Sequence, residues 1–150
     1  MGIISIQHDP STRLLLTKWL RAVGSHEYRE SILSFYKSLS ENKILFWVVD
    51  ITRLSCPNML DQKWTTELLG PGICKTQLQK IAFVLPDDLF LELVTEKMVE
   101  EVLRLCEGQV EIGYFRDYEQ AFNWLHVYLN TDHMSQETIC FDEGEKQITP

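Results

Sequence analysis

The chain has 150 residues, with 14 Lys and Arg against 22 Asp and Glu, and its formal net charge is −8. Its 45% apolar and 24% charged content is that of a globular protein, which excludes wholesale disorder. The acidic balance argues against a nucleic-acid-binding surface, which needs a basic field to capture phosphates. No apolar run approaches the roughly 18 residues that span a bilayer, so we expect no integral membrane segment.

The negative charge is concentrated at the C-terminus. Residues 131–150 hold half of the net charge, in a segment with few apolar side chains. The sequence therefore predicts a domain at residues 1–130, followed by an acidic C-terminal tail at residues 131–150. Two interpretations of the tail remain open: a mobile acidic segment, or a short strand at Thr138–Asp142 that docks on the domain.

The N-terminal part of the domain predicts a hairpin and a helix. Two apolar runs, at residues 3–6 and 14–20, flank a polar turn at Asp9-Pro10-Ser11, which is typical of an antiparallel hairpin. Apolar side chains then recur at helical spacing after Ser25, which can serve as the N-cap. Asn42 ends this pattern and is expected to end the helix.

Three more strands follow. Continuous apolar runs at residues 44–49 and 81–85 predict strands that are covered on both faces. The apolar residues Val110, Ile112, Tyr114 and Phe115 predict the last strand. The helix after the first run is expected to begin at Pro57 and to stop at Gly70-Pro71-Gly72.

Acidic caps mark the last two helices. Asp87 and Asp88 are expected to cap the longer helix, and Gly108 to end it. The stripe predicted to face the core in this helix is Phe90, Val94, Met98, Val102 and Leu105. Asp117 begins the final helix in a pattern that resembles a capping box.

This order of elements predicts the fold class. Crossovers from strand to helix to strand need parallel strands, whereas the hairpin supplies an antiparallel one. We therefore expect an α/β fold with a single mostly parallel five-stranded sheet, an N-terminal antiparallel hairpin strand, and about four helices on its two faces.

A ligand site in such a sheet would lie outside the carboxyl ends of its strands. The polar residues expected there are Asp50, Arg53, Asp87, Asp88 and Arg116. A small polar or anionic ligand clamped by the two arginines is one interpretation. The other is structural: the aspartates cap helices, and Arg116 is their ion-pair partner.

The aromatic residues suggest a second kind of site. The chain has four Trp, seven Phe and five Tyr, enough to line an apolar pocket. The pocket candidates are Trp64, Phe90 and Met98, which would line an opening if the helices splay. Plain core packing is the alternative.

Catalytic and metal-binding patterns are missing from the sequence. It has neither a nucleophile elbow nor a glycine-rich phosphate loop after a strand. No His lies at metal-ligand spacing from the cysteines at 56, 74, 106 and 140. We therefore expect no metal, no cofactor and no catalysis. No secretory signal is present, so a cytoplasmic location with free thiols is expected.

With these elements in place, residues 3–129 resemble the STAS-like domains, also called SpoIIAA-like, of sulfate transporters and bacterial anti-sigma-factor antagonists. The resemblance rests on the hairpin followed by alternating elements and on three segments. These are Phe46-Trp47-Val48-Val49-Asp50, the run from Lys80 to Asp88, and the run from Tyr114 to Leu125. The last is similar to the final strand and helix of small bacterial members. The fold is related to that of the lipid-binding CRAL-TRIO domains.

The resemblance implies a regulatory function, but one family feature is missing. In the anti-sigma antagonists a partner kinase phosphorylates a serine about eight residues after the strand-ending Asp. The corresponding residues here are Pro57-Asn58-Met59-Leu60, and Ser55 is out of register. The phospho-switch is therefore not carried over to this chain.

Three functional hypotheses follow. The leading one is a non-catalytic STAS-like module that acts through a protein partner or a regulatory ligand. The alternative is a carrier of a small apolar or lipid-like ligand in an aromatic-lined pocket between helices and sheet. A hydrolase or transferase that uses the strand-end acids has the least support. An apolar flank near Trp124 is compatible with a homodimer.

Overall fold

The structure is a computed structural model that describes residues 2–104, 106–127, 135–142 and 145–149. The elements follow in the order β1 (Ile4–Asp9), β2 (Leu14–Trp19), α1 (Ser25–Glu41), β3 (Phe46–Asp50), α2 (Met59–Ile73), β4 (Lys80–Val84), α3 (Leu89–Leu103), β5 (Glu111–Phe115), α4 (Tyr118–Leu125), β6 (Ser135–Asp142) and β7 (Glu145–Thr149).

The expected α/β fold is confirmed. Five strands lie in the order β5-β4-β3-β2-β1; β1 and β2 pair antiparallel, and the other three pairs are parallel. The sheet then continues through β6 and β7, both antiparallel to their neighbours. Strand β6 contains Thr138–Asp142, the segment for which the sequence left a short strand open.

Side-chain alternation along the strands divides the core between the two faces of the sheet. Trp47, Val49 and Ile81 pack with helices α1, α2 and α3 on one face. Val48 and Ala82 pack with α4 on the other. The chain moves in one direction from β2 to β5, and crossovers of the same hand therefore place α1 to α3 on the same face.

Helix α2 does not stop at the Gly-Pro-Gly motif, contrary to the sequence prediction. It runs through Pro71 to Ile73. A proline in the last turn removes only one intrahelical hydrogen bond, which the helix tolerates there. Gly72 serves packing instead, because a Cβ at this position would clash with the Tyr36 ring of α1.

The core stripe predicted for α3 is correct at Val102, which is buried, but wrong at the start of the helix. Phe90 is 66% exposed, whereas Leu91 and Thr95 are buried there. Val94 and Met98 are half-buried, and Leu105 lies outside the described residues. The first turns of α3 are apolar on nearly every side, so periodicity alone could not say which stripe faces the sheet. The helix also ends at Leu103, before the predicted Gly108.

Two of the expected free thiols form a disulfide. Cys74 at the end of α2 and Cys106 after α3 are bonded, with their Cα atoms 5.0 Å apart. They are 32 residues apart in the sequence. The two cysteines meet only because α2 and α3 pack side by side. Their spacing in the sequence does not indicate this contact. Among the described residues, Cys56 keeps a free thiol.

Candidate ligand cavity

An apolar cavity lies between the sheet and helices α1, α2 and α3. Its volume is about 90 Å³. On the strand side, the parallel register places lining residues of neighbouring strands next to each other. Trp47 lies beside Ile81, and Ile81 lies beside Ile112. The helices close the other side, with Phe35 from α1 and Leu91 from α3 among the lining residues.

Hydroxyl groups in the cavity wall are engaged with the protein. The Thr65 hydroxyl donates to the Asp61 carbonyl oxygen at 2.7 Å, so the Tyr28 hydroxyl, 2.9 Å away, donates to Thr65 Oγ1. The Thr95 hydroxyl donates to the Leu91 carbonyl oxygen at 2.8 Å. Burial raises the pKa of Tyr28 to about 12, and the phenol is therefore neutral at physiological pH. The surface offered to a ligand is accordingly almost wholly apolar.

Trp19 is the exception in this wall. The residue is 3% exposed, and its buried indole N–H has no hydrogen-bond acceptor among the described residues. Its ring is fixed by stacking on Tyr28, with centroids 5.8 Å apart, and by an edge contact with Phe35 at 4.9 Å. Trp47, also in the wall, donates its N–H to Thr17 Oγ1 at 2.9 Å. One cavity tryptophan is thus satisfied and the other is not.

A groove on the surface adjoins the cavity. It lies between α2 and α3, has a volume of about 370 Å³, and shares the half-buried Met98 with the cavity wall. Met98 is thus the side chain that separates the groove from the cavity, and methionine has a flexible, unbranched side chain.

Large apolar side chains are exposed around the beginnings of α2 and α3. We call this set the helix-end surface: Met59, Leu60, Leu89, Phe90 and Leu93. Both helices follow parallel strands, so both begin at the carboxyl edge of the sheet. Clustered apolar exposure of this kind is typical of an interaction surface.

At the strand ends, Asp50 is held by neighbouring protein groups. It is 7% exposed, and its Oδ1 accepts hydrogen bonds from the Thr52 N–H and hydroxyl at 2.9 and 2.6 Å. Its Oδ2 accepts a short hydrogen bond from the Tyr118 hydroxyl. Burial, and then the Asp50 carboxylate, raise the pKa of Tyr118. No sequence signal marks Tyr118 as a partner of Asp50, because α4 reaches Asp50 only through the fold.

The two arginines predicted to clamp a ligand contact different parts of the molecule. Arg53 donates to the Leu20 carbonyl oxygen at 3.2 Å, after β2. Arg116 donates to the Pro86 carbonyl oxygen at 2.7 Å and pairs with Glu92 of α3 at 3.0 Å. No described contact joins the two, and Arg116 pairs with a glutamate rather than with the capping aspartates.

The two neighbouring aspartates at the start of α3 differ. The Asp88 side chain accepts a hydrogen bond from the Leu91 N–H at 3.1 Å and is the N-cap of α3. Asp87 is exposed and has no described side-chain bond. The structure thus gives Asp88 the capping role that the sequence assigned to both.

The three pocket candidates lie at different places. Met98 lines the cavity, and Phe90 belongs to the helix-end surface. Trp64 packs at the edge of the core, with the Arg29 guanidinium 5.1 Å from its ring centroid. No sequence pattern marks Trp19, Trp47 and Phe35 as cavity residues, since side chains on core stripes give no sign of a gap between them.

A second, polar cavity of about 130 Å³ lies between the first residues of α1 and α2. The buried Asp61 carboxylate accepts hydrogen bonds there from the Ser25 hydroxyl and the Arg29 Nε, both at 2.8 Å. Burial raises the pKa of Cys56 in this wall, and the nearby Asp88 adds to the effect. The thiol is therefore protonated at neutral pH and is a poor nucleophile.

Comparison with known proteins shows the fold and nothing finer. No family model matches the sequence, and no curated protein matches it. The structure is similar to the crystal structure of an uncharacterised protein of the DUF3478 family from Shewanella loihica PV-4, which has a SpoIIAA-like fold. The TM-score is 0.55 with 18% identity, over 83% of this chain and 95% of that one. This chain has a SpoIIAA-like fold.

Within the part of the chain that the structure describes, none of the helices is long and apolar enough to cross a membrane. Among the same residues, no group of three or more His, Cys, Asp or Glu side chains is placed to hold a metal ion.

Proposed function

We propose that this protein is a non-catalytic binding module that holds a small apolar ligand between its sheet and helices α1 to α3. The observation that carries the proposal is the cavity itself, whose hydroxyls bond to the protein and whose remaining surface is apolar. Cavities of this kind stay dry and take up apolar molecules, as an engineered cavity of about 150 Å³ takes up benzene. The smaller volume here favours a compact ligand.

The strand-end residues support a non-catalytic function. Asp50 is buried with both oxygens bonded, and Arg116 is held by Pro86 and Glu92. The Cys56 thiol is protonated at neutral pH. None of these groups is a poised base or nucleophile facing the cavity.

Cavity filling tests the proposal. Val99 lines the cavity, whereas Val94 on the same helix does not. We expect methylenecyclopentane, a compact hydrocarbon, to raise the melting temperature of the native protein in sealed cells. A ligand at 100 times its Kd stabilises by about 2.7 kcal/mol. Val99→Phe should abolish this shift, and the matched variant Val94→Phe should keep it.

Two outcomes would contradict a ligand site in this cavity. If the hydrocarbon stabilises none of the three proteins, or stabilises Val99→Phe as well as the native protein, the cavity is not the binding site.

The helix-end surface favours a second candidate, the regulatory module that acts through a protein partner. Its exposed members include Met59, Leu60 and Phe90. Side chains of this type are enriched at the centres of protein interfaces, where they exclude water. We take a second copy of this chain as the partner, and the two functions do not exclude each other, since the surface adjoins the groove.

A further inference from the structure

Trp19 is the one polar group of the cavity wall that lacks a partner in the described chain. Its indole N–H is buried, and indole offers a donor but no acceptor. A buried donor without an acceptor loses its hydrogen bonds to water and gains nothing in return. The ring cannot readily turn the N–H toward solvent, because Tyr28 and Phe35 pack against it.

A second tryptophan of the cavity wall, Trp47, serves as a comparison for Trp19. Trp47 has a buried N–H as well, but Thr17 Oγ1 accepts its hydrogen bond at 2.9 Å. The fold thus supplies an acceptor to one cavity tryptophan and, among the described residues, none to the other. The remaining wall is apolar, so a charged acceptor would lose its hydration without an ionic partner.

We propose that the ligand is a compact neutral molecule with a carbonyl oxygen, and that Trp19 determines this specificity by donating its N–H to that oxygen. The inference rests on the proposed function, because it concerns the ligand of the same cavity. The ligand class is that of small ketones, esters and lactones, in which an apolar body surrounds one acceptor. Hydrocarbons of the same shape fit the cavity but leave the donor unpaired.

A pair of nearly isosteric ligands tests this inference. Cyclopentanone and methylenecyclopentane differ in one group, a carbonyl oxygen against a methylene. The ketone loses more hydration on entering the cavity, so the informative quantity is the ratio of the two Kd values in each variant. Both are measured by titration of ¹H–¹⁵N spectra.

We expect Trp19→Phe to shift this ratio against the ketone by about tenfold, the worth of one buried hydrogen bond. Trp47→Phe is the matched control and should leave the ratio unchanged within a factor of two. In the native protein, cyclopentanone should move one of the four indole N–H resonances strongly downfield, and Trp19→Phe should delete that resonance. The downfield shift is measured on the native protein, so it tests the proposal even if Trp19→Phe folds poorly.

The outcomes distinguish a failure of the carbonyl specificity from a failure of the apolar ligand site itself. If both ligands bind and the ratio is the same in native protein and Trp19→Phe, or no indole proton moves downfield, the carbonyl inference is overturned and the apolar site stands. If neither ligand binds the native protein, the proposed function fails with it.

Discussion

At the scale of single residues, the buried polar groups show which sites are structural. Asp50 and Tyr118 form a closed pair between β3 and α4, and Asp61 joins α1 to α2 through Ser25 and Arg29. Each group has partners that hold neighbouring elements together. Trp19 differs, because it is buried to the same degree and its donor is unpaired. That contrast is why the ligand proposal rests on Trp19.

The Asp50–Tyr118 pair gives a stability prediction. Tyr118→Phe removes the donor and leaves Asp50 Oδ2 buried without it, which should lower the free energy of unfolding by about 1–3 kcal/mol. Urea denaturation followed by circular dichroism measures the change. Tyr114→Phe is the matched control: burial, and then Glu96 and Glu100, raise the pKa of Tyr114 to about 12, but no described hydrogen bond holds its hydroxyl. Equal effects of the two substitutions would contradict a structural role for the pair.

At the scale of elements, helices α2 and α3 define the cavity and the groove. Their C-terminal ends are joined by the Cys74–Cys106 disulfide, next to the cavity residues Ile73 and Leu103. Their N-terminal ends carry the helix-end surface, which has no such link. The bond holds one end of the helix pair closed, and any opening of the groove is expected at the other.

The disulfide closes a long loop, so its loss should be costly. The chain-entropy relation for a separation of 32 residues gives about 3–4 kcal/mol at 25 °C. We expect the double variant Cys74→Ser, Cys106→Ser to lose about this much free energy of unfolding in urea under oxidising conditions. The matched substitution Cys56→Ser should change it by less than about 1 kcal/mol, because that thiol is free. A double variant as stable as the native protein would show that the bond is absent in solution.

At the scale of the whole molecule, the two faces of the sheet are covered differently. One face holds the three-helix layer with the cavity, and the other is packed against α4. Strand β6 pairs along β1, so β1 is an interior strand and β5 and β7 are the sheet edges. Because β6 covers β1, a second copy cannot pair along that strand. Self-association is therefore tested at the helix-end surface, where large apolar side chains are exposed.

Self-association gives a prediction at this scale. If the helix-end surface pairs two copies, the native protein should sediment as a dimer, and Leu60→Asp with Phe90→Asp should make it a monomer. Leu33→Asp is the control, since Leu33 is an exposed leucine of α1 outside this surface. A native protein that stays monomeric at about 100 µM would remove the second copy as the partner, because dimers of standard interface size bind more tightly than this.

The sequence by itself determined the order of the elements from β1 to α4, since its apolar runs and caps are local signals. It left β6 open and did not predict β7. Residues 44–49 and 81–85 predicted β3 and β4 to within two residues, and Asp88 marked the start of α3. The phase of α3 was not determined, because Phe90 and Leu91 are both apolar and only packing against the sheet selects one. The sequence predicted that Asp50 and Arg116 lie at strand ends, but it did not predict their partners Tyr118 and Glu92.

What only the tertiary structure decided depends on contacts between residues distant in the sequence. Cys74 meets Cys106 because α2 and α3 lie side by side. The cavity exists because side chains from four strands and three helices do not fill the space between them, and no local sequence pattern indicates such a gap. The unpaired donor of Trp19 likewise emerges only when every neighbour is in place. Periodicity encodes which face is buried, whereas complementarity between faces is a property of the assembled core.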